Sequence, residues 1–198
     1  DPDWTVFLSD DEAKRAALHG CLMEQGYPEW IETLINSHQH VVLPVIKRCI
    51  RKEWLSSIPV LSDFLNHFRG PTTKIQPDVR QLLFEVITGS EPCDLGKLDN
   101  GLGIIKNLEL DQDQIRRLLR IARRRLSKHK AAGHIDFSLR YLAILMLLDP
   151  DRASGDLEAW LHVGSPAGGQ DYTERTFSFL FNLHDPILSD SMIRDQVR

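Results

Sequence analysis

Residues 111–148 read DQDQIRRLLRIARRRLSKHKAAGHIDFSLRYLAILMLL, and this stretch decides the fold class. Asp111 is an N-cap residue, with Asp113 in the turn that follows it. From Gln112 to Lys128 the apolar residues Ile115, Leu118, Leu119, Ala122 and Leu126 fall on one arc at about 100° per residue, the mark of an amphipathic helix. Gly133 ends the connection, a second helix is expected over Asp136 to Leu148, and Asp149-Pro150 is a sharp stop. Two helices on a short link form a hairpin, so the chain is read as all-α.

The same signals recur outward from this hairpin. Downstream, the pattern predicts a short helix from Asp151 to Leu161, a flexible loop from Gly164 to Gly169, and helices over Thr173 to Leu183 and Pro186 to Val197. Upstream, a first helix starts at the N-cap Ser9 or Asp10, carries Ala13, Ala16, Ala17, Cys21 and Leu22, and ends at Gly26. Pro28 opens a second helix, with Trp30, Ile31, Leu34 and Ile35 on one face, stopping near Ser37. A third starts near His40 or Val41, because Pro44 is tolerable only within a first turn. A fourth follows Pro59, with Val60, Leu61, Phe64, Leu65 and Phe68 as its stripe, and breaks at Arg69-Gly70-Pro71. Pro77 and Asp78 open a helix closed by Gly89, whereas Glu91 to Gly103 reads as a looser segment with room for one short helix. The total is ten to eleven helices. Strand-like stretches are confined to Trp4 to Leu8 and Val41 to Ile46, and the second runs into a helical pattern.

Composition agrees with this class. With 198 residues and 42% hydrophobic content the chain can bury a real core, and its apolar set is dominated by Leu and Ile with only 8% aromatics. A net charge of −4 argues against bulk attraction to nucleic acid or anionic lipid, though not against a local basic patch. Cys21, Cys49 and Cys93 are odd in number and widely spaced, so they outline neither a disulfide framework nor a CxxC metal site and are read as small buried hydrophobes. The longest apolar run, Leu142 to Leu148, is far short of the roughly 20 residues that cross a bilayer. The start at Asp1-Pro2 lacks a signal-peptide pattern, and Ser191 to Arg198 reads as an amphipathic helix stopped in mid-course. The expectation is a cytoplasmic segment of a longer chain, organised as one helical-repeat domain over 1–198 with a place for subdivision near 89–110.

An internal similarity supports the repeat reading. AALHGCLMEQGYPEWIETL from Ala16 and YLAILMLLDPDRASGDLEAWL from Tyr141 each join an apolar helix, a break containing Pro, and a short helix carrying Trp then Leu. Each Trp would wedge between neighbouring hairpins, burying surface that a single hairpin cannot hide. The hairpins ending in YPEW and LEAW, with the LDPDRA break, resemble HEAT-like α-solenoid segments of large bacterial multidomain proteins, including NACHT or STAND-type NTPases. The resemblance covers about two thirds of the chain. It implies a short right-handed α-solenoid of the HEAT or armadillo kind, serving as a sensor or scaffold arm and not as the nucleotide-binding part.

The most conspicuous chemical feature is the basic side of the 112–128 helix. Arg116, Arg117, Arg120, Arg123, Arg124 and Lys128 fan across the side opposite the apolar arc, and no acid interrupts Ile115 to Lys130. Arginine forks there could hold backbone phosphates. The competing reading is a solvated face whose cations suit the negative C-terminal end of the helix dipole, while Glu109, Asp111 and Asp113 suit its start. No interleaved aromatic offers a base-stacking platform. Arg125 falls at the apolar boundary and must snorkel or pair. His38 and His40 diverge on a helix and have no third ligand nearby, and His129 and His134 flank a turn, where solvent is expected. Gly164 to Gly169 lacks the Lys-Ser/Thr of a phosphate loop, and no nucleophile elbow or HExxH is present. The sequence therefore points to a non-catalytic interaction, scaffold or sensor module without metal or cofactor, acting on a protein partner or on neighbouring domains. A nucleic-acid-binding repeat using 116–130 is the alternative, and an enzyme site assembled from distant residues is the second alternative.

Overall fold

The structure, a computed structural model, describes residues 2–23, 28–56, 64–69, 75–163, 176, 178 and 179. Among them every regular element is helical and no strand occurs. A 3-10 helix (Pro2–Phe7) precedes α1 (Asp10–Leu22), α2 (Trp30–Leu55), α3 (Phe64–His67), α4 (Pro77–Gly89), α5 (Leu95–Asn107), α6 (Gln112–Ala131), α7 (Ile135–Leu148) and α8 (Pro150–Val163). Val60, Leu61, the Gly70-Pro71 break, the Gly164 to Gly169 loop and the helix read over Pro186 to Val197 lie outside the described residues, as does most of Thr173 to Leu183. The chain divides into two compact units, 1–109 and 110–198.

In the first unit, α1 begins on a capping box. The Ser9 hydroxyl and backbone N–H both donate to the Glu12 carboxylate, at 2.6 and 2.8 Å, and those bonds hold its pKa below the usual carboxylate range. Its buried face is small, Ala13, Ala17, Gly20 and Cys21, so α2 can approach closely. A Cβ on Gly20 would lie 2.5 Å from Ile31 Cδ1.

Helix α2 has two arms. His38 takes non-helical angles, φ −133° and ψ 36°, between them. In the first arm Ile31 meets Gly20 while His38 Nδ1 lies 4.0 Å from Asp10 Oδ1, so the chain runs antiparallel to α1. In the second arm His40 meets Asp10 at 3.2 Å and Cys49 meets Cys21, so the chain runs parallel to it. The end expected near Ser37 and the start expected near His40 or Val41 are thus separated by a break at a single residue. The His38 Nε2–H, donating to the Thr5 carbonyl at 3.0 Å, ties this break to the 3-10 helix. Helical geometry resumes at once, so Pro44 lies inside the helix and not in the first turn that was expected; the His40 carbonyl loses the donor that any other residue there would offer.

The 91–103 segment departs most from its expectation. Within it begins a regular thirteen-residue helix, α5, which runs on to Asn107 and is capped by Asp94, whose carboxylate accepts from Lys97 N at 2.8 Å. Its glycines serve packing. A Cβ at Gly101 would lie 2.7 Å from Trp54 Cη2, and one at Gly103 would overlap the Arg69 side chain. Trp54 is fully buried and its indole N–H donates to Ser90 O at 3.1 Å. Beside it Glu53 is buried, accepting from Leu65 N at 3.2 Å and pairing with Lys97 Nζ at 3.4 Å. A buried carboxylate needs such partners, because bare burial of a charge costs several kcal/mol.

In the second unit α6 packs on α7 and α7 on α8. Asp111 closes a capping box with Gln114, and Gly133 turns the chain at φ 72°, a left-handed conformation in which a Cβ would be strained. Trp160 is buried and donates to Thr176 Oγ1 at 3.2 Å. Trp30, its counterpart in the first similarity copy, is only half-buried and tilts against Trp4 at 5.6 Å.

Candidate functional site

Two places concentrate functional side chains, one in each unit. The first is the outer side of α6. Arg116, Arg117, Arg120, Arg124 and Lys128 are exposed there, recurring at three- and four-residue spacings along about 18 Å of helix. Arg123 departs from this set. It is half-buried and turns inward to Asp149 at 3.4 Å and Asp156 at 3.6 Å, fastening α6 to the end of α7 and to α8. Arg116 pairs with Asp113 at 2.6 Å, so part of the charge is answered locally. Among the described residues no carboxylate stands within ion-pair distance of Arg120 or Arg124.

The inner side of α6 is more polar than its spacing implies. Arg125 is buried and lies over the Tyr141 ring, 5.8 Å from its centroid. His129, expected in solvent, is buried instead; it stacks on Phe137 at 4.8 Å and on Tyr141 at 5.6 Å. The flat faces of Phe137 and Tyr141 accept these planar cationic or aromatic groups, which a purely aliphatic partner helix could not do. His134 remains exposed, with Nδ1 3.3 Å from His129 Nδ1.

The second place is a cleft of about 390 Å³ between α1 and the second arm of α2. Lys14, Arg15 and Leu18 line it from α1, and His40, Val41, Pro44, Val45, Arg48 and Cys49 from α2. Both sets recur every three or four residues because the two helices run side by side in the same direction. Among the described residues no carboxylate lines it, although Lys14 pairs with Asp11 at 3.1 Å and His40 Nε2 lies 3.2 Å from Asp10 Oδ2. Cys49 is half-buried at the wall. Behind it Cys21, fully buried on α1, hydrogen-bonds to Cys49.

That bond and burial push the Cys21 thiol up, so it keeps its proton and donates. Accepting it pulls the Cys49 thiol down; burial opposes the shift, and Lys52 and Arg48 add to it. Cys93 is different: burial, then the hydrogen bond to Asp94, push its thiol up, and its Sγ–H also donates to Ser56 O at 2.8 Å. Of the three cysteines read as small buried hydrophobes, Cys21 is buried while Cys49 and Cys93 are half-buried, and Cys21 meets Cys49 across a helix interface. Nothing in their spacing announced this.

Among the described residues no group of three or more His, Cys, Asp or Glu side chains is placed to hold a metal ion. Among the same residues no helix is long and apolar enough to cross a membrane. Comparison with known proteins gives no match to any family, curated protein or solved structure.

Proposed function

We propose that the chain is a non-catalytic helical interaction module whose hairpins stack as a short right-handed α-solenoid of the HEAT kind. It would serve as a scaffold or sensor arm within a larger cytoplasmic protein. The stacking reading rests on which elements touch in the first unit: α2 packs on α4 and α3 on α5, each pair two elements apart, the contact that stacking of successive hairpins produces.

The binding surface is the outer side of α6, and its occupant is an acidic face of a protein partner or of a neighbouring domain. One observation carries this: Arg120 and Arg124 are held one turn apart on a capped helix, exposed, with no acidic neighbour among the described residues. A fixed row of guanidinium forks matches carboxylates two at a time. The experiment is a titration of labelled poly-glutamate and of a DNA duplex of matched charge, with the native chain and with Arg120→Glu plus Arg124→Glu. Binding of the polypeptide that the double variant loses supports the reading. Tighter duplex binding, with affinity falling linearly in log salt, would turn the assignment to nucleic acid. Absence of both would sink it.

A further inference from the structure

Cys49 and Cys21 form a layered pair: one thiol lines a cationic cleft and the other is buried on the facing helix. We infer that Cys49 is a thiol–disulfide exchange site for a small disulfide bearing carboxylates, of the glutathione class, which seats in the α1/α2 cleft, with Cys21 as the resolving thiol. The cleft, at about 390 Å³, falls within the size range of small-molecule pockets. Arg15 and Arg48 are exposed arginines flanking it from opposite helices, so carboxylates at either end of an extended disulfide meet a guanidinium. The apolar floor of Leu18, Val41, Pro44 and Val45 suits the aliphatic stem between them.

Access assigns the roles. Cys49 lines the cleft and Cys21 is buried, so the sulfur that an arriving disulfide meets first is that of Cys49. In the first step Cys49 sulfur attacks one sulfur of RSSR; the Cys49–SR bond forms, the S–S bond of the ligand breaks, and RS⁻ leaves and takes up the proton that Cys49 gave up. In the second, Cys21 sulfur attacks Cys49 sulfur; the Cys21–Cys49 disulfide forms, a second RS⁻ leaves, and it takes the proton that Cys21 releases. Two protein thiols are oxidised to one disulfide and RSSR is reduced to two RSH. The exchange is stoichiometric and stands apart from the α6 surface. Its product is a covalent tie between α1 and the second arm of α2, across the break at His38.

The test uses the full chain carrying Cys93→Ser, reduced, exposed to oxidised glutathione and quenched in acid for intact-mass analysis. With Cys21 present, the expected product is a protein two hydrogens lighter, with both remaining thiols blocked to alkylation. With Cys21→Ser added, a single glutathionyl adduct should accumulate on Cys49. Cystamine, a cationic disulfide, should react about tenfold more slowly than oxidised glutathione, and Arg15→Glu plus Arg48→Glu should erase that preference. The urea-unfolded chain supplies the reference rate for an unassisted thiol. The proposal is overturned if folded Cys49 reacts no faster than unfolded Cys49, if cystamine reacts as fast, or if the adduct persists when Cys21 is present.

Discussion

Replacing Gly101 by Ala should destabilise the first unit, although the same change in the middle of a helix ordinarily stabilises. Gly to Ala in a helix interior is worth about 0.8–1 kcal/mol in favour of Ala. At Gly101 the new methyl would lie 2.7 Å from Trp54 Cη2 and 3.0 Å from Cζ3, closer than side chains pack. The indole cannot swing away, since it is fully buried and its N–H is bonded to Ser90 O. Crowding of this kind costs about 1–3 kcal/mol, so the net loss is about 1 kcal/mol, up to about 2. Urea unfolding followed by circular dichroism and tryptophan fluorescence measures it, with Gly155→Ala as control. Gly155 sits in α8 with open space around it, so that variant should gain the full helix propensity. The cycle with Trp54→Phe isolates the contact, because Phe lacks both crowded ring atoms. In that background Gly101→Ala should stabilise, giving a coupling of about 1–3 kcal/mol. A coupling within measurement error would refute the reading of Gly101 as a packing glycine.

Glu53→Ala should cost about 3 kcal/mol, because it leaves Lys97 and the Leu65 amide without their buried acceptor; a loss typical of surface residues, under about 0.5 kcal/mol, would contradict the pairing. Asp111→Ala removes the acceptor for Gln114 N at 2.8 Å and should lower the stability of the second unit by about 1 kcal/mol, read as a shift in urea midpoint at unchanged slope. The thiols should alkylate in an order set by their environments. Reaction follows the thiolate, so Cys49, pulled down by the bond it accepts from Cys21, should reach half its limiting iodoacetamide rate at a lower pH than an ordinary thiol; Cys93, pushed up by burial, should reach it at a higher one. Site-resolved mass spectrometry across the pH series gives both midpoints, and a reversed order would contradict the assignment.

The elements that were legible in sequence are those whose boundaries carry local chemistry. Asp111 with Gln114, Pro77 with Gly89, Gly133, and Asp149-Pro150 each act through backbone groups one turn away, so a reader of the chain can place α4, α6, α7 and α8 within a few residues. The basic residues of α6 were equally visible, since a stripe at helical spacing needs only the helix. What failed were residues whose meaning depends on a distant partner. Gly96, Gly101 and Gly103 look like turn residues until Trp54 and Arg69 are seen against two of them. His129 looks like a surface group until Phe137 stacks on it, and the partner that Arg125 needs at the apolar boundary is not named until Tyr141 is seen beneath it. The local signs that α5 is a full helix were the Asp94 cap and the helical spacing of Leu98, Leu102 and Ile105.

The amino-acid sequence by itself determined that this chain is built from helices, where most of them begin and end, and which side of α6 carries cations. These follow from hydrogen bonds and side-chain spacings within a turn or two. The cysteine pair was decided by tertiary structure alone. Cys21 lies eleven residues beyond Asp10 and Cys49 eleven beyond His38, so the thiols meet only because the chain reverses at His38 and α1 and the second arm then run the same way. Equal helical rise carries both sulfurs about 16 Å to the same level. A straight α2 would have left them at opposite ends, two small buried cysteines and nothing more.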